Sequence, residues 1–170
     1  MPPYPSFCQF CGAPGPAARP EESASECASC GATTYLNSKP ASCAVIVEGG
    51  QVLLVADAGG PAAGWDVPGG FLLYGEAPEE GLRREVGEEL NAEVSVGRLL
   101  AVKLDTYGGP DEYTLNIFYR AELVTRELRA GAGVGGFGWF RLDALPPLKY
   151  KSTHEVLSQL ASGPEGVPRR

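Results

Sequence analysis

The chain alternates between short apolar runs and Gly- or Pro-punctuated polar stretches from residue 42 onward, and much less regularly before it. Residues 43–47 and 52–55 are continuous apolar runs separated by Glu48-Gly49-Gly50-Gln51, the pattern of a β-hairpin turning on Gly-Gly. A loop over 57–64 carries four Gly or Pro residues, and Trp65-Asp66-Val67 is expected to form a short strand before Pro68-Gly69-Gly70. A helix is signalled from Pro78. Proline suits a first turn, Glu79 and Glu80 complement the N-terminal dipole, and Leu82, Val86 and Leu90 repeat at i, i+4, i+8. Asn91 stands just past its end, where a left-handed residue is wanted. Further strands are expected at 92–96, 99–105, 114–123 and 137–140, with a turn at 107–111 and a last helix over 152–160. Many strands with one central and one terminal helix predict an α/β fold, a mixed sheet covered by helices.

The first forty residues follow another rule. Cys8-Gln-Phe-Cys11 and Cys27-Ala-Ser-Cys30 are two Cys-x-x-Cys knuckles separated by fifteen residues, the ligand spacing of a tetrahedral zinc site. Gly12 and Gly31 follow the knuckles directly, where positive φ is often needed. Two disulfides are the competing reading, and no export signal over 1–10 supports the oxidising compartment they need. Residues 13–26, rich in Pro, Ala and Glu, read as a loop with little structure of its own. Cys43, opening an apolar run, reads as a buried core thiol. The expected organisation is therefore a zinc ribbon over 1–40, a catalytic-type domain over 41–162 and a flexible tail over 163–170.

Charge narrows the function classes. The 170 residues carry 14 Lys+Arg and 21 Asp+Glu, a net charge of −7. That disfavours nucleic acid and anionic membranes as partners. Residues 1–40 also net −1 (Arg19 and Lys39 against Glu21, Glu22 and Glu26), so the ribbon reads as structural. No apolar run reaches the ~18 residues of a membrane helix, and a cytoplasmic location is expected. The acids are concentrated: Glu76, Glu79, Glu80, Glu85, Glu88, Glu89 and Glu93, against Arg83 and Arg84, net −5 within one short window. On a helical wheel Glu85, Glu88 and Glu89 fall within roughly a 100° arc. Clustered carboxylates repel unless a cation lies among them, and Mg2+ or Mn2+ prefers such oxygen ligands. A solvated acidic helix face is the alternative.

The window Gly70-x5-Glu76-x7-Arg84-Glu85-Val86-Gly87-Glu88-Glu89 resembles the signature box of the Nudix hydrolases. Asn91 and Ala92 depart from that pattern, which has Gly and a bulky aliphatic there. The resemblance implies an α/β/α sandwich and Mg2+-dependent hydrolysis of a nucleoside diphosphate linked to another moiety. It implies that Glu85, Glu88 and Glu89 hold metal, with the Gly70 carbonyl as a further ligand. Arg84 would orient Glu76 or a ligand carboxylate. Some members draw their general base from a loop after the box; the loop that looks equivalent here, 131–136, contains no acid, so Glu88 or Glu89 is expected to be the base as well. Asp111, Glu112 and Glu127 read as surface acids and His154 as a surface histidine.

Zinc ribbon followed by box also resembles the NADH pyrophosphatase group, but its Ser-Gln-Pro-Trp motif is absent from 99–119. The stretch Cys27…Tyr35…Asn37…Pro40 is more similar to another ribbon-bearing group, which implies ADP-ribose-like or sugar-nucleotide substrates, with NADH or FAD second. Tyr107 and Pro110 lie near positions that mark substrate classes in the family and conflict with each other. Tyr74, Tyr107, Tyr113 and Trp139 are candidates to stack on a base. The basic residues often found after the second strand are missing; Ala56-Asp57 stands there. The resemblance also allows a homodimer. A catalytically silent nucleotide-sensing module is the reading from another class.

Overall fold

A computed structural model describes residues 4–109 and 111–163, so Pro110 and all of the expected tail except Gly163 lie outside the described residues. The chain forms two compact units: residues 1–38 together with 106–113, and residues 39–105 together with 114–170.

In the first unit, β1 (Ala17–Arg19), β2 (Ala24–Glu26) and β3 (Thr33–Tyr35) form an antiparallel sheet with β2 in the middle. This corrects the expectation of an unstructured loop over 13–26. Ala-Ala-Arg and Ala-Ser-Glu have poor strand propensity, and long-range pairing overrides it. Ala24 and Ser25 are fully buried. Arg19 reaches Glu22 at 2.6 Å and Glu26 at 3.0 Å, which ties the turn to its two strands.

The second unit is built on β4 (Lys39–Glu48), β5 (Gln51–Asp57), β6 (Gly69–Phe71), α1 (Pro78–Leu90), β7 (Val94–Thr106), β8 (Tyr113–Leu123), β9 (Val134–Arg141) and α2 (Lys151–Ser162). The sheet runs β7-β8-β4-β5-β9, with β6 added to β4. It is mixed: β4 pairs with β8 in parallel and with β5 and β6 antiparallel. β4 is buried on both faces, which explains its unbroken apolar run. Ala44 and Ile46 join Leu82, Val86 and Leu90 of α1 in one core, while Cys43 and Val45 join Val156 and Leu157 of α2 in the other. The sheet thus lies between the two helices.

Two expectations need adjustment. Residues 92–96 and 99–105 were read as separate strands but belong to one, β7, which runs through Gly97. Trp65-Asp66-Val67 makes only isolated bridges, Val55 to Asp66 and Trp65 to Leu148. Its neighbours explain this: Pro68 has no N–H to continue a ladder, and the Trp65 N–H donates to Pro147 O at 3.0 Å. The strand at this point is β6, two residues further on.

Candidate active site

The box folds as β6, a tight loop and α1. The helix keeps the predicted limits because local signals agree there. Pro78 opens it and the Glu80 carboxylate accepts from the Ala77 N–H. Asn91 closes it in the left-handed conformation (φ 50°, ψ 39°), its N–H donating to Gly87 O. Leu82, Val86 and Leu90 anchor the apolar stripe in the core, leaving the acidic arc on the flank that faces β6 and its loop.

Arg84 organises that flank. Its Nε donates to Glu76 Oε1 at 2.8 Å and its Nη2 to Glu76 Oε2 at 2.9 Å. Nη1 reaches Glu85 Oε1 at 2.8 Å and, weakly, Glu88 Oε2 at 3.4 Å, and Nη2 also bonds the Phe71 carbonyl at 2.9 Å. Glu76 further accepts from the Leu73 N–H. These bonds, from Arg84 first, hold the Glu76 carboxyl down at about 2.

The three carboxylates of the arc differ in setting. Glu88 is the exposed one, with 61% of its side chain accessible. Glu85 is largely buried and rests on Gly70, where an added Cβ would stand 2.5 Å from its carboxyl carbon. Glu89 is half-buried and accepts from the Gly69 N–H at 3.0 Å. Burial, reinforced by the charges of Glu85, Asp66 and Glu88, pushes its carboxyl up to about 8. Glycine is required at 69: its φ is +150° and a Cβ would lie 2.1 Å from the Ser42 carbonyl oxygen.

Glu85 beside Gly70 and the half-buried Glu89 beside Gly69, with no cation bonded to Glu89 among the described residues, suit a hard divalent cation. The three carboxylates are not drawn within 4.8 Å of one another; Arg84 takes one oxygen each of Glu85 and Glu88.

The segment expected as a loop over 131–136 is loop only as far as Gly133, since Val134–Gly136 already belong to β9, and the loop over 129–133 lies against the end of α1. Gly131 N–H donates to Glu89 O at 2.8 Å, Arg129 N–H to Leu90 O at 2.9 Å, and Asn91 Nδ2 to Arg129 O at 3.0 Å. The loop expected to matter therefore abuts Glu88 and Glu89, and the 131–136 segment brings no acid. Glu127 is exposed and pairs with Arg129. Asp111, Glu112 and His154 are exposed, as are Tyr74, Tyr107 and Tyr113, while Trp139 packs against the α1-side core.

Two features had no sequence signal. Lys149 Nζ reaches Asp57 Oδ2 at 2.6 Å, so a residue 92 positions away neutralises the acid that ends β5. Asp66 is half-buried near the box, accepting from Val67 N–H and the Thr153 hydroxyl. Burial raises it to about 6.

In the first unit the cysteine sulfurs of Cys8, Cys11, Cys27 and Cys30 all lie within 4.8 Å of one another, the one group of metal-ligand type gathered so closely among the described residues. Cys8 to Cys30 and Cys11 to Cys27 are each 3.7 Å. A disulfide needs about 2.05 Å; a tetrahedron with Zn–S near 2.3 Å has edges of about 3.8 Å. The two knuckles repeat one geometry: Gly12 N–H to Cys8 O and Gly31 N–H to Cys27 O, with φ +72° at both glycines. The backbone amide of Cys30 leads the bonds that hold the Cys27 thiol down at about 6. The geometry fits zinc.

The family model for the NUDIX domain matches residues 37–160. The chain is 30% identical over 146 residues to the NAD-capped RNA hydrolase NudC of Pseudomonas aeruginosa, covering 84% of this chain and 50% of that one. It is 30% identical over 117 residues to the ADP-ribose pyrophosphatase of Methanocaldococcus jannaschii, covering 68% of this chain and 69% of the relative. A crystal structure of a NUDIX hydrolase from Nitrosomonas europaea superposes with TM-score 0.76 at 24% identity, over 92% of this chain and 90% of the other, which shows the fold. The chain spans about half the length of the NudC relatives it matches.

Proposed function

The chain belongs to the NUDIX family, and on that footing we propose that it hydrolyses the diphosphate bond of a nucleoside diphosphate joined to another group, with ADP-ribose-like compounds or sugar nucleotides as substrates. The observation that carries this reading is Glu85 resting on Gly70 and Glu89 on the Gly69 N–H, with Arg84, paired to Glu76, reaching Glu85 and Glu88.

Glu85, Glu88, Glu89 and the Gly70 carbonyl would hold Mg2+ or Mn2+, which supplies the positive charge that a diphosphate needs for in-line displacement. Arg84 acts through its neighbours. Its guanidinium is occupied by Glu76, Glu85 and the Phe71 carbonyl, so it orients carboxylates and does not contact phosphate. Glu88 or Glu89 takes the proton of the attacking water. The 131–136 segment beside them offers no acid, so the base lies within the box itself. In the first unit, Cys8, Cys11, Cys27 and Cys30 hold a structural zinc ion. No described helix is long and apolar enough to cross a membrane.

A second substrate reading is NADH or FAD, of which NADH is favoured by the 30% identity to NudC, an NAD-capped RNA hydrolase. Both readings are tested together. Purified protein with Mg2+ should release AMP from ADP-ribose, FAD or NADH, and Glu88→Gln should abolish release. A broad nucleotide panel that yields no product with either Mg2+ or Mn2+ leaves the silent binding module as the correct reading. Zinc bound in protein purified without chelators is expected, and its absence overturns the ribbon assignment.

A further inference from the structure

The four-cysteine cluster has an asymmetry that a purely structural ribbon does not require. Cys8 and Cys27 are buried, at 4% and 3% exposure, whereas Cys11 and Cys30 are exposed. All four sulfurs lie within 4.8 Å of one another, and two 3.7 Å contacts each join an exposed sulfur to a buried one across the knuckles: Cys30 to Cys8, and Cys11 to Cys27. An exposed thiolate is the one an oxidant meets first, and a resolving thiol within reach decides whether its oxidation is reversible.

From this arrangement we infer that the cluster is an oxidant-responsive modification site, in which a peroxide joins Cys8 to Cys30 and Cys11 to Cys27 and releases the zinc. The inference rests on the zinc reading above. In each pair, the exposed thiolate attacks one peroxide oxygen. The O–O bond breaks, a sulfenic acid forms on Cys30 or Cys11, and hydroxide leaves. The buried thiolate of Cys8 or Cys27 then attacks the sulfenic sulfur and expels a second hydroxide. Two thiolates and one hydrogen peroxide give one disulfide and two hydroxides; sulfur is oxidised by two electrons and peroxide oxygen is reduced by two. To form the bond, each pair closes from 3.7 Å to about 2.05 Å. Four thiolates are consumed, so no ligand remains for zinc. The fifth cysteine, Cys43, is buried in β4, and burial pushes its thiol further up, so it takes no part.

The test uses the full, reduced, zinc-loaded chain, and its first measurement is zinc content before any oxidant. About one zinc per chain confirms the starting state; no zinc refutes the ribbon reading separately from the inference. Hydrogen peroxide is then added, with zinc release followed by a chromogenic chelator, thiols by alkylation, and disulfides by peptide mass mapping. Release should be complete at about two equivalents of peroxide, with Cys8–Cys30 and Cys11–Cys27 peptides recovered. Cys43 should remain alkylatable after unfolding, and dithiothreitol with zinc should restore the loaded state. Cys30→His keeps a fourth ligand but removes the partner of Cys8. It should retain zinc, lose the Cys8–Cys30 peptide and still form Cys11–Cys27. Zinc retained through excess peroxide, or disulfides formed within each knuckle, overturns the inference.

Discussion

Arg84 grips Glu76 at two points, Nε to Oε1 at 2.8 Å and Nη2 to Oε2 at 2.9 Å, while the same guanidinium also holds Glu85 and the Phe71 carbonyl. The planar fork makes this possible, and an ammonium cannot reproduce it. Arg84→Lys should therefore stay folded but lose the alignment of Glu85 with Gly70. Because the residue supports ligands without contacting substrate, a loss of about 10–100-fold in Mg2+ affinity or kcat/KM is expected. Arg83→Lys is the control, since Arg83 bonds only the Glu79 carbonyl, at 3.2 Å. Equal activity of the two variants would show that Arg84 does not position the site.

Glu89 makes metal-free stability depend on pH. Its carboxyl rises from 4.5 to about 8 on folding, with burial the leading cause. A folded-state pKa above the unfolded value contributes stability that is present below the unfolded pKa and lost as pH climbs through the folded one. In Mg2+-free buffer without chelator, which leaves the cysteine site untouched, Tm should fall between about pH 5 and pH 8. Mg2+ should raise Tm more at the alkaline end. Glu89→Gln should flatten both effects, and a pH-independent Mg2+ shift in the unmodified protein would contradict this account of Glu89.

The helix α1 was legible to the residue because every signal for it is local: Pro78, Glu79, Glu80, the Leu82-Val86-Leu90 stripe and Asn91 all lie within fourteen positions. The two knuckles were legible for the same reason. What sequence could not supply was long-range pairing. β1 and β2 carry no apolar alternation, and they exist because β3 and each other complete their backbone bonds. The Asp57–Lys149 pair and the Asp66–Thr153 bond join segments 92 and 87 residues apart. Trp65-Asp66-Val67 looked like a strand by composition, yet its backbone groups are divided between Val55 and Pro147.

Asn91 stands where the family box has Gly, and the structure gives it work that Gly cannot do. Its backbone is left-handed, and its Nδ2 donates to the Arg129 carbonyl at 3.0 Å, tying the end of α1 to the following loop. Asn91→Gly relieves whatever left-handed strain remains but deletes that bond, so restoring the family residue should not stabilise the protein. Asn91→Ala loses both, and should cost about 1–2 kcal/mol. Urea denaturation ranks the three; a glycine variant clearly more stable than the parent would remove the Arg129 bond from the account.

Gly131 and Gly133 sit in one loop but answer to different constraints, and comparing them isolates the contact with α1. A Cβ on Gly131 would fall 1.7 Å from the Glu88 carbonyl oxygen, which belongs to a helix that cannot yield. The loop must back away, taking with it the Gly131 N–H bond to Glu89 O at 2.8 Å. Gly133 has φ +86° but open space around it, so alanine there incurs backbone strain alone. Gly131→Ala should lower stability by about 1–3 kcal/mol, as overpacking does, and more than Gly133→Ala. It should also weaken Mg2+ binding, because the displaced loop abuts the backbone that carries Glu88 and Glu89. Gly133→Ala should leave Mg2+ binding unchanged. If the two variants lose stability equally and both bind Mg2+ normally, the loop does not brace the carboxylates, and their placement rests on Arg84 and β6 alone.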